Sequence, residues 1–172
     1  HLIFSSNIST AWLSYWNIES IGGYRPLKLR NYQDLIDATT ELSGKTRLPF
    51  ISNPQILNML NVKYILTNKK INSSSFSLLP NFNSGIYENQ DVLPKAWIVG
   101  KTISVNSQNE SLEQTLLKGF NPSTTAIVVD YVGPILDQKV DGVVEIISHH
   151  ENRISINCTS TTGGLMVLSE IY

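Results

Sequence analysis

The most basic stretch of the chain, Gly22-Gly23-Tyr24-Arg25-Pro26-Leu27-Lys28-Leu29-Arg30-Asn31-Tyr32, is the leading candidate for ligand chemistry. Glycines just ahead of a helix leave backbone N–H groups free, and the positive end of the helix dipole favours an anion there. Arg25 could grip a phosphate or carboxylate through two parallel hydrogen bonds, with Lys28 as a nearby point charge and Arg30 completing the cationic set. Tyr24 and Tyr32 could stack on a sugar or hydrogen-bond to it. The competing reading is a solvated helix start whose cations pair with Asp34 and Asp37. Neither the Walker spacing nor the dinucleotide fingerprint is present, so the stretch is not a nucleotide phosphate loop.

Other constellations are weaker. His149-His150-Glu151 invites a metal reading, but neighbours on a strand point to opposite faces, so the two histidines do not easily hold one ion. If the strand register runs through, His149 shares a face with Glu145, the only pairing here that suggests hydrolysis. No Gly-x-Ser-x-Gly elbow is present. Cys158 alternates with Ile154 and Ile156 and reads as a small core residue. The carboxylate pairs Asp34/Asp37 and Asp137/Asp141 carry no sign of the opposed placement in a cleft that glycoside hydrolysis needs. Asn-x-Ser/Thr triplets start at Asn7, Asn72, Asn109 and Asn157, as chance allows in so Asn- and Ser-rich a chain. No motif calls for a cofactor or a metal. Among the aromatics, Trp12, Tyr15, Trp16, Tyr24, Tyr64, Tyr87 and Trp97 read mainly as core.

The elements that must position these residues follow from periodicity. Leu29, Tyr32, Leu35 and Ile36 predict an amphipathic helix over 27–40, with Pro26 in the first turn. Asn53-Pro54 starts a second helix carrying Ile56, Leu57 and Leu60, which gives way to a strand over 62–67. Residues 72–85 read as loop. A strand over 96–99 resumes through Ile103 and Val105. Ser107 and Glu110 form a capping box for a short helix with Leu112, Leu116 and Leu117, ending at Gly119. Residues 125–131 predict a buried β-branched strand. Strands over 143–148 and 153–159 are joined by a tight connection through His150, Glu151 and Asn152, and residues 165–171 form a last strand. This is an α+β pattern: a mixed α/β first two-thirds with short helices and an antiparallel, β-rich last third.

Composition bounds the rest. Of 172 residues, 41% are hydrophobic, enough for a core, and only 16% are charged. Ser, Asn and Thr (20, 16 and 12 residues) take the place of charge. A net charge of −1 argues against a dedicated nucleic-acid binder, and one cysteine excludes an internal disulfide or a Cys-based zinc site. Charge is uneven: residues 1–101 hold ten Lys/Arg against six Asp/Glu, and residues 102–172 hold three against eight. No run of apolar residues is long enough to span a bilayer. The chain begins on His1, not Met, and closes on what reads as a strand, so it is expected to be a piece of something longer, truncated at its C-terminus.

Several segments together resemble the YfhO-like family of bacterial integral membrane proteins. They are residues 20–36 (SIGGYRPLKLRNYQDLI), 56–66 (ILNMLNVKYIL), 93–99 (LPKAWIV), 121–128 (NPSTTAIV), 152–154 (NRI) and 164–172 (GLMVLSEIY). They fall in the family's order and span nearly the whole chain, though none is a catalytic signature. In the family the last strand continues into a Tyr-Pro-Gly-Trp segment and more β-structure, absent from this sequence. The family also tends to place an aromatic residue and a proline before the Asn-Arg-Ile turn, where this chain has His149 and Glu151.

The resemblance implies a parent with many transmembrane helices and a soluble domain outside the cytoplasmic membrane, similar to glycosyltransferases that use lipid-phosphate-linked sugars. The catalytic acid of such enzymes is expected between early membrane helices, which this sequence lacks. The expectation is therefore one extracytoplasmic domain with approximate lobes 1–100 and 101–172. It is not itself catalytic and uses no cofactor. Its partners would be its own transmembrane region and a glycan, cell-envelope acceptor or lipid-phosphate-linked sugar, met through Tyr24, Arg25, Lys28, Arg30 and Tyr32. The alternatives are a structural or protein-interaction domain bracing the transmembrane bundle, and a free-standing hydrolase using His149 and Glu145.

Overall fold

The computed structural model describes residues 2–4, 15–16, 18–21, 29–42, 53–67, 69–80, 85–150 and 152–170. It is an α+β protein that divides into two compact units, His1–Val92 and Leu93–Tyr172. The boundary precedes the strand over residues 96–99 because that strand hydrogen-bonds to the chain's last strand. Among the described residues, no helix is long and apolar enough to cross a membrane.

In the first unit, strands β1 (Leu2–Phe4), β2 (Tyr64–Thr67), β3 (Phe76–Leu78) and β4 (Gly85–Asn89) form a sheet in the order β1-β2-β4-β3. β1 runs parallel to β2, and the other pairings are antiparallel. Helices α1 (Arg30–Leu42) and α2 (Pro54–Met59) lie between β1 and β2 in sequence. Pro54 opens α2 because its fixed φ suits the first turn and its missing N–H is not needed there. Asn53 sits at the N-cap position without making a side-chain cap bond.

The far end of α2 closes with Asn61 in the left-handed region, φ 53°. The Val62 N–H then reaches back to the Leu57 carbonyl at 2.9 Å and the Asn61 N–H to the Asn58 carbonyl at 3.1 Å. This is a Schellman closure, in which asparagine tolerates the conformation that usually selects glycine. The closure turns the chain directly into β2 and places Leu57 and Val62, both fully buried, in one core with Ile65, Ile71, Phe76 and Tyr87. Ile21, Ile36 and Leu60 pack against it. Residues 72–85, expected to be loop, contain β3 and meet the start of β4. Phe76 is the one buried residue of its three-residue strand, so periodicity has nothing to register.

In the second unit, β5 (Ala96–Val99) pairs antiparallel with β10 (Leu165–Leu168). β6 (Lys101–Val105) and β7 (Thr125–Val129) pair in parallel, connected through α3 (Gln108–Leu116). β7 is only half-buried beyond Thr125, not the buried strand its β-branched run suggests, because it has a single strand neighbour. The capping box forms: Ser107 Oγ accepts the Glu110 N–H at 3.2 Å, and Glu110 Oε2 accepts the Asn106 N–H at 3.0 Å. Gly100 joins β5 to β6 where a Cβ would lie 2.0 Å from the Gln138 carbonyl oxygen. The same close approach lets the Gln138 N–H bond to the Gly100 carbonyl at 2.9 Å. β8 (Gly142–His150) and β9 (Arg153–Ser160) form a hairpin with a bulge between Ile146 and Ser148.

Candidate functional site

Of the five residues expected to meet a ligand, Tyr24, Arg25 and Lys28 lie outside the described residues. Arg30 and Tyr32 stand on the first turn of α1 and part company in role. The Arg30 side chain is 92% exposed, its Nε 3.8 Å from Asp34 Oδ2 one turn on. An exposed pair of this kind contributes little to stability, so the guanidinium remains a usable surface cation. Tyr32 is half-buried, and its hydroxyl donates to the Ile21 carbonyl at 2.9 Å. That bond ties residues 18–21 to the start of the helix and gives the phenol a structural duty. Asp37, the other acid expected to pair with the basic stretch, accepts from Gln33 Nε2 at 2.6 Å.

The hairpin rearranges the histidine candidates. Cross-strand partners share a face, and His149 lies opposite Ile154, whereas Glu145 lies opposite Asn157. Ile154 and Asn157 are three apart on a strand with a period of two, so they face opposite ways. The bulge at Ile147 is the cause. One extra residue in β8 inverts the alternation beyond it, so the shared face expected for His149 and Glu145 does not form. Side chains on opposite faces of a two-stranded ribbon do not act on one substrate.

His149 instead meets residues that are remote in sequence. Its Nε2 lies 3.7 Å from Glu170 Oε2, and the same oxygen lies 2.7 Å from Lys95 Nζ. Glu170 Oε2 is shielded from water and meets the lysine as an ion pair, not as an aligned hydrogen bond. Lys95 precedes β5, Glu170 follows β10 and His149 ends β8, so one carboxylate gathers three strand ends. The adjacent Ser169 N–H to Lys95 carbonyl bond, at 2.8 Å, closes the same corner. This arrangement staples the unit. Sequence reasoning missed it because Lys95 and Glu170 are 75 positions apart and no local spacing links them. Cys158 corrects a further expectation: it shares the face of Ile154 and Ile156 yet is exposed, because it lies toward the open end of the ribbon.

At the base of the hairpin Asp141 accepts hydrogen bonds from the hydroxyls of Thr161 and Thr162, the latter at 3.0 Å. These donors, Thr161 foremost, hold its carboxyl below the usual carboxylate value of 3.8. A group whose folded pKa is depressed adds stability above its unfolded pKa and loses it as pH falls through the folded value. Asp141→Asn is therefore expected to be less stable than the parent at neutral pH. The two should converge in acid, below the ordinary carboxylate range, in thermal melts run as a pH series. A difference that persists undiminished well below that range would contradict the hydrogen-bond account.

Among the described residues no group of three or more His, Cys, Asp and Glu side chains could hold a metal ion. Comparison of the chain with family models, with curated proteins and with solved structures finds no match.

Proposed function

We propose that the chain is a non-catalytic extracytoplasmic domain of a multi-spanning bacterial membrane protein resembling the YfhO-like glycosyltransferases. Its role is to bind or position a glycan or cell-envelope acceptor. One observation carries the choice of binding over catalysis: the bulge at Ile147 sets His149 and Glu145 on opposite faces, and His149 is drawn to Glu170. The segments behind the resemblance are also framework segments. Residues 56–66 form α2, its closure and β2, while residues 93–99 and 164–172 carry the β5–β10 pair. Likeness of that kind speaks for a shared scaffold. On it the basic stretch is left to supply the contacts, with Arg30 turned to solvent.

The test is titration of the 172-residue chain with oligogalacturonate, an anionic glycan, read by calorimetry. Arg25→Ala is expected to weaken binding by about tenfold, the usual scale for losing one charge-assisted bidentate contact. No binding by the parent chain, or equal binding by the variant, would refute the assignment. A second reading, a domain that braces the transmembrane bundle, is favoured by the inward duty of Tyr32 and the Arg30–Asp34 pair. It expects no glycan affinity in either protein.

A further inference from the structure

Among the described residues β9 pairs with β8 alone, and β8 is the strand that packs toward β5, where Ile98 Cδ1 occupies the space a Cβ on Gly142 would need. In an antiparallel ladder every other residue turns its N–H and C=O away from its partner. The far side of β9 therefore carries a row of backbone groups that no other described strand or loop meets. Native edges are usually protected by proline, by lysine or by a charge pointing into the sheet. Past Arg153, the first residue of β9, residues 154–160 (ISINCTS) hold no proline and no charge. From Asn157 onward the strand is exposed. A two-stranded ribbon is marginal alone, and added strands are what stabilise it.

The charges at the two ends of the ribbon choose the occupant. Arg153 is exposed and has no acidic partner among the described residues. At the other end the Asp141 carboxylate, held by the Thr161 and Thr162 hydroxyls, has no cation among them. Eight residues separate Arg153 from Thr161, about 27 Å of strand, so the two charges do not meet within one copy. Run antiparallel to itself about an axis at Asn157, β9 sets Asn157 against its copy, Ile156 against Cys158 and Ser155 against Thr159. The same register sets Arg153 against Thr161, the residue that holds Asp141. Cross-strand partners share a face, and Asp141 lies one step beyond the Gly142–Ser160 pair, so it shares the face of Thr161. Two strand spacings, about 10 Å, then separate the backbones of Arg153 and the second copy's Asp141, within reach of these two side chains. Glu145, opposite Asn157, stands three spacings or about 14 Å from its own copy, beyond the screening length. We infer that the far edge of β9 pairs antiparallel with β9 of a second copy of this chain, about a twofold axis at Asn157. The product is a four-stranded sheet closed at each end by Arg153 against Asp141. A twofold contact is isologous and stops at the dimer. The inference stands on the hairpin and not on the glycan reading.

The experiment is the oligomeric state of the 172-residue chain, read by light scattering after size exclusion over a concentration series reaching about 1 mM. A dimer is expected, weakened by added salt. Arg153→Glu sets acid against acid at both ends and should raise the dissociation constant of the dimer about tenfold or more. Cysteine placement reads the axis. Paired Cα atoms across antiparallel strands lie about 4.5–5.5 Å apart, within the span of a disulfide. In a Cys158→Ser background, Asn157→Cys should therefore cross-link to its copy in oxidised glutathione, and Asn109→Cys, exposed on α3, should not. All four positions are exposed, and unchanged thermal melts would establish that the variants fold. A monomer at every concentration overturns the inference. So does a dimer that Arg153→Glu leaves intact, or one in which Asn157→Cys cross-links no faster than Asn109→Cys.

Discussion

Replacing Asn89 with leucine is expected to destabilise the first unit by about 3 kcal/mol, although the two side chains branch alike. Asn89 is buried at the end of β4 and uses its whole amide. Its Nδ2 donates to Asn58 Oδ1 at 2.8 Å and to the Val62 carbonyl at 2.9 Å, while its Oδ1 accepts the Asp91 N–H at 3.1 Å. One side chain thus fastens α2, the turn after it and the exit from β4. Leucine, the bulkier side chain, would crowd the site and satisfy none of these groups. The Val62 carbonyl would be left inside the core, and an orphaned buried acceptor costs about 1–3 kcal/mol beyond the bonds lost. Urea unfolding followed by far-ultraviolet circular dichroism measures the change. With Trp12 and Trp16 replaced by phenylalanine, emission from buried Trp97 tracks the second unit separately. A loss below about 1 kcal/mol would mean that water replaces the amide and that the network is not a fastening.

How far the fold was legible depends on how local each cause is. Pro54 announces the start of α2, and the alternation of Ile154, Ile156 and Cys158 announces β9, because both signals lie within a few residues of their effect. β3 and β4 escaped because Asn- and Ser-rich flanks dominate a window in which Phe76 and Tyr87 do the burying. The parallel pairing of β6 with β7 was likewise hidden. Ser107, Glu110 and the β-branched run reveal a helix between two strands but not which strand each would choose.

The candidate site divides along the same line. The basic character of residues 22–32 is evident from composition alone, yet the sequence does not say that Tyr32 would turn inward to the Ile21 carbonyl while Arg30 faces water. The fate of His149 turned on a single extra residue at Ile147. A bulge has no fixed sequence signature, and it decides which of two carboxylates, 25 positions apart, the imidazole meets. Exposure of Cys158 is the mirror case. The alternation is present in β9, but a two-stranded ribbon buries only the part of a face that something covers.

Trp97→Ala is expected to be the most damaging single change in the second unit, costing about 3–5 kcal/mol. The indole is buried in β5, and its Nε1 donates to the Pro122 carbonyl at 2.8 Å, 25 residues away. Pro122 belongs to a turn held by the Asn121 side chain, which accepts from the Ser123 N–H at 3.1 Å, and by the Thr125 N–H to Asn121 carbonyl bond at 3.0 Å. That turn delivers the chain into β7, so the indole joins the β5–β10 pair to the β6–β7 pair, two ribbons that share no ladder hydrogen bonds. Two-stranded ribbons are marginal alone, which makes such a cross-tie worth more than its area. Trp97→Phe separates the two contributions: it keeps most of the apolar contact, leaves the Pro122 carbonyl unpaired and should cost about 1–3 kcal/mol. Amide exchange would report the consequence directly. Protection in β10, whose Leu168 pairs with Ala96, should fall in Trp97→Ala, while protection in β2 and β4 of the other unit stays as in the parent. Equal costs for the alanine and phenylalanine variants would assign the role to the hydrogen bond alone. Unchanged protection in β10 would show that the two ribbons hold together without the indole.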